Sequence, residues 1–86
     1  MNHIIILNDG RKVEVQKVEE YGGSLKIRML LQTSDQLKSY FADAFSTKKI
    51  TEKDNGKETV YENYTELSYI KEETGGIWEV ELSQTD

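Results

Sequence analysis

The chain has 86 residues, a mass of 9.9 kDa, no cysteine and no proline, and a net charge of −5 from 16 acids and 11 bases. That length holds one small domain, residues 1–86, and the missing thiols exclude a disulfide framework, a cysteine nucleophile and a thiolate zinc site. No apolar run approaches the ~20 residues of a membrane span, and the amino end lacks the basic leader and long apolar stretch of a signal peptide, so a soluble intracellular protein is expected.

Ile4 to Leu7 reads as a short buried strand, Asn8-Asp9-Gly10 as a turn, and Lys12-Val13-Glu14-Val15-Gln16 as a half-buried strand. Together they form an opening hairpin. Val13 and Val15 do not share parity with Val18, which calls for a bulge or a strand end near Gln16-Lys17. Tyr21-Gly22-Gly23-Ser24 turns the chain into the clearest strand, where Leu25, Ile27, Met29 and Leu31 alternate with Lys26 and Arg28. From Thr33 the period changes. Leu37, Tyr40, Phe41, Ala44 and Phe45 fall on one helical stripe, and Thr33 with Gln36 matches a capping box, with Ser34 or Asp35 as alternative caps. The helix is expected to pack Leu37, Phe41 and Phe45 on a sheet.

Lys48 to Lys53 reads as a polar edge strand whose lysines discourage edge-to-edge pairing. Asn55-Gly56 is a strong hairpin signal. Thr59 to Lys71 is one long strand, or two with a break, kinked near Asn63-Tyr64. Thr74-Gly75-Gly76 turns the chain, Trp78, Val80 and Leu82 alternate with Glu79 and Glu81 in a last half-buried strand, and Ser83 to Asp86 forms a polar, frayed tail. The expected fold is α+β and mostly antiparallel. Its order is β-β-β-α-β-β-β, two three-stranded meanders around one short helix that packs on a curved sheet or plugs an open barrel.

The charge is unevenly placed. Residues 1–43 carry six acids and six bases, whereas from Glu58 to Asp86 there are eight acids and one base, Lys71. Such a segment repels phosphates, so no direct nucleic-acid binding is expected. It reads as a solvated acidic surface or, more sharply, as one that docks on a basic partner.

The residues spell out no chemistry. His3 is the one histidine, and its place at a strand start fits a surface residue better than a base. With no cysteine, a metal site would have to rest on carboxylates. Asp9 and Asp54 lie in turn sequences that lack the further acids of a calcium loop. Glu79 and Glu81 would share a strand face, as paired carboxylates can in acid–base sites, but nothing in the sequence suggests a pocket around them. Gly22-Gly23 and Gly75-Gly76 match no phosphate loop, and there is no G-x-S-x-G elbow. No catalytic residue, cofactor, metal or small-molecule substrate is expected. The aromatic residues carry more signal: Tyr61, Tyr64, Tyr69 and Trp78 all fall in the second half, either as core packing or as anchors of a protein-binding face.

The opening Ile-Ile-Leu-Asn-Asp-Gly-Arg-Lys-Val-Glu-Val, the run from Lys49-Ile50-Thr51-Glu52 through Asn55-Gly56 to Val60-Tyr61-Glu62-Asn63-Tyr64-Thr65-Glu66-Leu67, and the ending Gly75 to Leu82 resemble a family of small phage and prophage proteins of Gram-positive bacteria. The resemblance covers nearly the whole chain and implies a non-enzymatic protein of the tail or baseplate region, cytoplasmic in a bacterial host or virion-associated. It maps no catalytic residue. The expected function is therefore structural or assembly work through contact with a protein partner, the chain itself included as a homo-oligomer. The expected contact residues are Tyr61, Tyr64 and Tyr69 with Glu62, Glu66, Lys48 and Lys49. The alternative is a small acidic inhibitor that mimics nucleic acid toward a host defence or nucleic-acid-binding protein. A plain adaptor domain is a third reading.

Overall fold

Four hairpins supply all the strands of a computed structural model that describes residues 3–30 and 33–85. The first joins β1 (His3–Ile6) to β2 (Lys12–Glu14), and the second joins β3 (Lys17–Tyr21) to β4 (Ser24–Leu30). Two short helices follow, α1 (Ser34–Phe41) and α2 (Ala44–Thr47). The third hairpin joins β5 (Lys49–Asp54) to β6 (Lys57–Glu62), and the fourth joins β7 (Glu66–Glu73) to β8 (Ile77–Ser83). At the third turn Asn55 (φ 57°) and Gly56 (φ 89°) both hold positive φ, the backbone that a two-residue turn needs to match strand twist. Leu31, expected to continue the alternation of β4, lies outside the described residues, as does Asp86.

The α+β, mainly antiparallel class holds, but the expected order does not. Among the described residues there are eight strands and two helices, and the strands form two four-stranded sheets, β2-β1-β5-β6 and β3-β4-β8-β7. Neither sheet is a meander of consecutive strands. Each takes one hairpin from before the helices and one from after, joined through a central antiparallel pair. In one sheet that pair is β1–β5, with Ile5 opposite Glu52. In the other it is β4–β8, with Ile27 opposite Val80. Lys49–Asp54 is thus an interior strand rather than an edge, because Thr51 to Asp54 pair with β1 on one side and with β6 on the other. The edge beside it is β6.

The chain changes sheets three times, once through the two helices and twice at tight corners. At the first corner, Val15 donates its N–H to His3 O in one sheet (2.9 Å) and Gln16 donates to Arg28 O in the other (2.7 Å), the strand end expected near Gln16-Lys17. At the second, Asn63 takes φ 67° between β6 and β7, where the kink was expected. Its N–H bonds Lys48 O (2.8 Å), and its carbonyl accepts from Thr85 (2.7 Å). The expected fraying of the tail therefore does not extend to Gln84 and Thr85, which bond Gly23 O and Asn63 O.

One apolar core lies between the inner faces. Ile5, Leu7, Val13, Val15 and Ile50 come from one sheet, Leu25, Ile27, Met29, Val80 and Leu82 from the other, and Leu37 and Phe41 from α1. Trp78 is half-buried and packs against this core. A register shift between Leu67 and Tyr69 inserts an extra residue at Ser68. The bulge places Leu67 opposite Leu82 and Ile70 opposite Val80, so that both face inward although their spacing is odd.

The helical stripe breaks after Phe41. The capping box forms in both directions, Gln36 N to Thr33 Oγ1 (3.1 Å) and Thr33 N to Gln36 Oε1 (2.9 Å). At Asp43, however, the backbone turns extended and the side chain accepts from Phe45 N (3.1 Å), which caps a new helix. Ala44 and Phe45 consequently point away from the core, and Phe45, expected to pack on a sheet, is 59% exposed.

The first hairpin turn holds this helical junction. Asn8 N donates to Ser46 O (2.9 Å) and Asn8 Nδ2 to Phe45 O (3.0 Å). Arg11 Nε bonds Asp9 Oδ2 (2.7 Å), while its Nη atoms reach Ser39 Oγ, Ser39 O and Ser46 Oγ, each at 3.0 Å. Its guanidinium also lies 5.3 Å from the Tyr40 ring centre. One planar fork therefore ties the turn to both helices. Arg11→Ala is expected to cost about 1–3 kcal/mol in urea unfolding, and Arg11→Lys to recover little of it, because an ammonium cannot span acceptors set for a fork. A loss within the ~0.5 kcal/mol of an ordinary surface change would show that the clamp does not hold the helices.

Candidate functional site

The seven residues expected to form a contact face do not form one. Tyr64 is 1% exposed and packs in the core, which corrects its assignment as a contact anchor. Its ring meets Tyr61 edge-on at 6.3 Å, and its hydroxyl donates to Glu20. Tyr61 is half-buried beneath the first sheet and donates to Glu52 Oε1 at 2.8 Å. Tyr69 lies on the outer face of the other sheet and donates to Glu79 Oε2 at 2.5 Å. Glu62 and Lys49, both exposed, stand opposite each other at the root of β5 and β6. Lys48 is exposed nearby, in an open groove of about 510 Å³ that Phe45 and Asn63 also line. Glu66 is exposed at the start of β7.

The two outer faces differ in chemistry. On the β3-β4-β8-β7 sheet, cross-strand rows mix charges of both signs: Lys17, Arg28, Glu79 and Lys71 in one, Glu19, Lys26 and Glu81 in the next. Arg28 bonds Glu79 Oε1 (3.2 Å) and Glu73 Oε1 (3.3 Å). Tyr69 and then Arg28 hold the Glu79 carboxyl below its ordinary pKa, against the opposing effect of burial. On the β2-β1-β5-β6 sheet, Ile6, Thr51 and Val60 form a row across the outer face, with Ile4 beside it. Val60 is 50% exposed. The sequence hides this row, because Ile4 to Leu7 reads as one buried run. Ile5 and Leu7 are buried, whereas Ile4 and Ile6 are only half-buried on the opposite face.

A second grouping sits at the end of the inner face of that sheet. His3 stands directly opposite Asp54, and Glu52 lies two residues along β5 on the same side. His3 Nε2 is 2.6 Å from Glu52 Oε2, and donor atoms of all three residues lie within 4.8 Å of one another. The Glu52/Asp54 spacing was visible in the sequence. The pairing of β5 with β1, which brings His3 to them, was not.

Comparison with protein-family models, characterised proteins and solved structures finds no match. Among the described residues, no helix is long and apolar enough to cross a membrane.

The buried hydroxyls give these contacts a pH signature. Burial, and then Glu20, push Tyr64 up to about 12; the hydrogen bond to Glu79, and then burial, push Tyr69 up to about 12. Tyr61 is raised further still, by burial and by Glu52. A folded-state value above the ordinary 10.0 stabilises the fold below that pH, and the contribution is lost as pH rises toward 12. Phenolate absorbance is expected to show these three tyrosines ionising late, together with a fall in thermal stability over that window. Tyr69→Phe should remove one late ionisation. A single step for all five tyrosines near pH 10 would contradict the hydrogen-bonded arrangement.

Proposed function

We propose that the chain is a non-enzymatic structural or assembly protein that works through protein–protein contact. It is of the phage- or prophage-encoded kind that its sequence resembles, and acts in the bacterial cytoplasm or on the virion. The observation that carries this reading is the row Ile6–Thr51–Val60 across the outer face of the β2-β1-β5-β6 sheet, where Val60 is 50% exposed and Ile4 and Ile6 are only half-buried. The opposite outer face, by contrast, is covered by ion pairs. Apolar surface framed by charges, here Lys12, Lys53 and Glu58, is the usual composition of a contact patch. The expected contact therefore moves from the tyrosines to this face and the adjoining β6 edge, where the exposed Glu62 and Lys49 remain at its rim.

The β6 edge disfavours plain strand addition between two copies. Antiparallel pairing centred on Val60 would set Glu58 of one copy against Glu62 of the other. Face-to-face contact avoids this. The rival inhibitor reading has less support than the acidic second half suggested. Glu58 lies 3.9 Å from Lys53, Glu81 lies 3.9 Å from Lys26, and Glu73 and Glu79 lie on Arg28, so bases from elsewhere in the chain offset much of that charge.

Light scattering after size-exclusion chromatography, over a concentration series at low and high salt, is expected to show a discrete assembly that persists in salt. Val60→Lys should leave the circular dichroism unchanged and shift the species to monomer. A monomer under every condition contradicts self-assembly, and association that salt abolishes favours the charge-mimic alternative.

A further inference from the structure

We infer that His3, Glu52 and Asp54 form a binding site for a divalent transition-metal ion of the zinc type. Three adjacent-strand positions converge here by sheet geometry alone: His3 and Asp54 are a cross-strand pair, and Glu52 follows Asp54 at the two-residue repeat of one face. Their donor atoms lie within 4.8 Å of one another, a spacing that small rotations of the side chains can close around bonds of about 2.0–2.2 Å. One imidazole nitrogen with two carboxylates selects a zinc-type ion over calcium or magnesium. Calcium needs six to eight oxygens, and magnesium favours oxygen-only shells. Three protein ligands leave at least one coordination position for water.

The surroundings fit a ligand set rather than a chance surface cluster. Tyr61 donates to Glu52 Oε1 at 2.8 Å, which fixes the carboxylate and leaves Oε2 turned toward His3, as outer hydrogen bonds orient metal ligands. The Glu52 and His3 side chains are largely enclosed, at 12% and 20% exposure, while Asp54 is exposed and leaves an open side for an ion to enter. Without an ion, His3 and Glu52 satisfy each other as a hydrogen-bonded pair.

The test is titration of the tag-free protein with Zn²⁺ by calorimetry, with Mg²⁺ as the oxygen-preferring comparison. His3 ring resonances are followed by NMR in parallel. Saturable one-to-one Zn²⁺ binding is expected, with no matching response to Mg²⁺. Asp54→Asn, on an exposed carboxylate, should weaken it about tenfold or more while the amide spectrum stays native. Tyr61→Phe should weaken it less, and His3→Ala should abolish it. Dependence on both His3 and Asp54 separates this site from one built on His3 and backbone nitrogens. The inference is overturned if wild type shows no saturable Zn²⁺ binding, or if Asp54→Asn binds as tightly as wild type.

Discussion

Everything in this fold depends on two long-range antiparallel pairings, β1 with β5 and β4 with β8. They join hairpins that lie on opposite sides of the helices in sequence. Ile6 meets Thr51 and Ile27 meets Val80, separations of roughly 45 and 53 residues. Closing loops of that length costs on the order of 3–4 kcal/mol each. Burying a single core side chain recovers ~1.5–3 kcal/mol, so a few of the thirteen buried hydrophobics offset the closure. That return exists only when both sheets are present, because their inner faces and α1 share the same core. Neither half of the chain holds a complete sheet.

The same arrangement decides which surfaces are free. The two corners, at Val15-Gln16 and Asn63, carry the chain from sheet to sheet and leave both outer faces uncovered by connecting strands. One outer face neutralises itself through Arg28, Glu73, Glu79, Lys26 and Glu81. The other keeps Ile6 and Val60 in a row. The helical junction, clamped by Asn8 and Arg11, turns Phe45 outward beside Lys48. The Ile6–Thr51–Val60 row and the His3–Glu52–Asp54 grouping thus lie on opposite faces of the same sheet.

Local features were legible in the sequence because local physics sets them. The Asn55-Gly56 turn, the Thr33/Gln36 box, the alternation over Leu25 to Met29, the break near Gln16-Lys17 and the kink at Asn63 follow from φ preferences, capping and period. The misses are of two kinds. Some are competitions that periodicity does not see: Asp43 captures the Phe45 amide and ends a stripe that otherwise continues, and the Ser68 bulge reverses the parity of β7. Others depend on pairing partners. Lys49–Asp54 looks like an edge strand because its outer residues are polar, yet β1 and β6 flank it. Tyr64 looks like a surface anchor until two sheets close over it. The His3–Glu52–Asp54 grouping belongs to this second kind, since no spacing within one strand predicts it.

The interdependence of the two sheets is tested most directly by native-state hydrogen exchange. The slowest amides of β1 and β5 and those of β4 and β8 are expected to exchange with the same free energy, equal to that of global unfolding measured by denaturant. Central amides of one sheet that exchange through a clearly cheaper opening, while the other sheet stays protected, would contradict a single shared core.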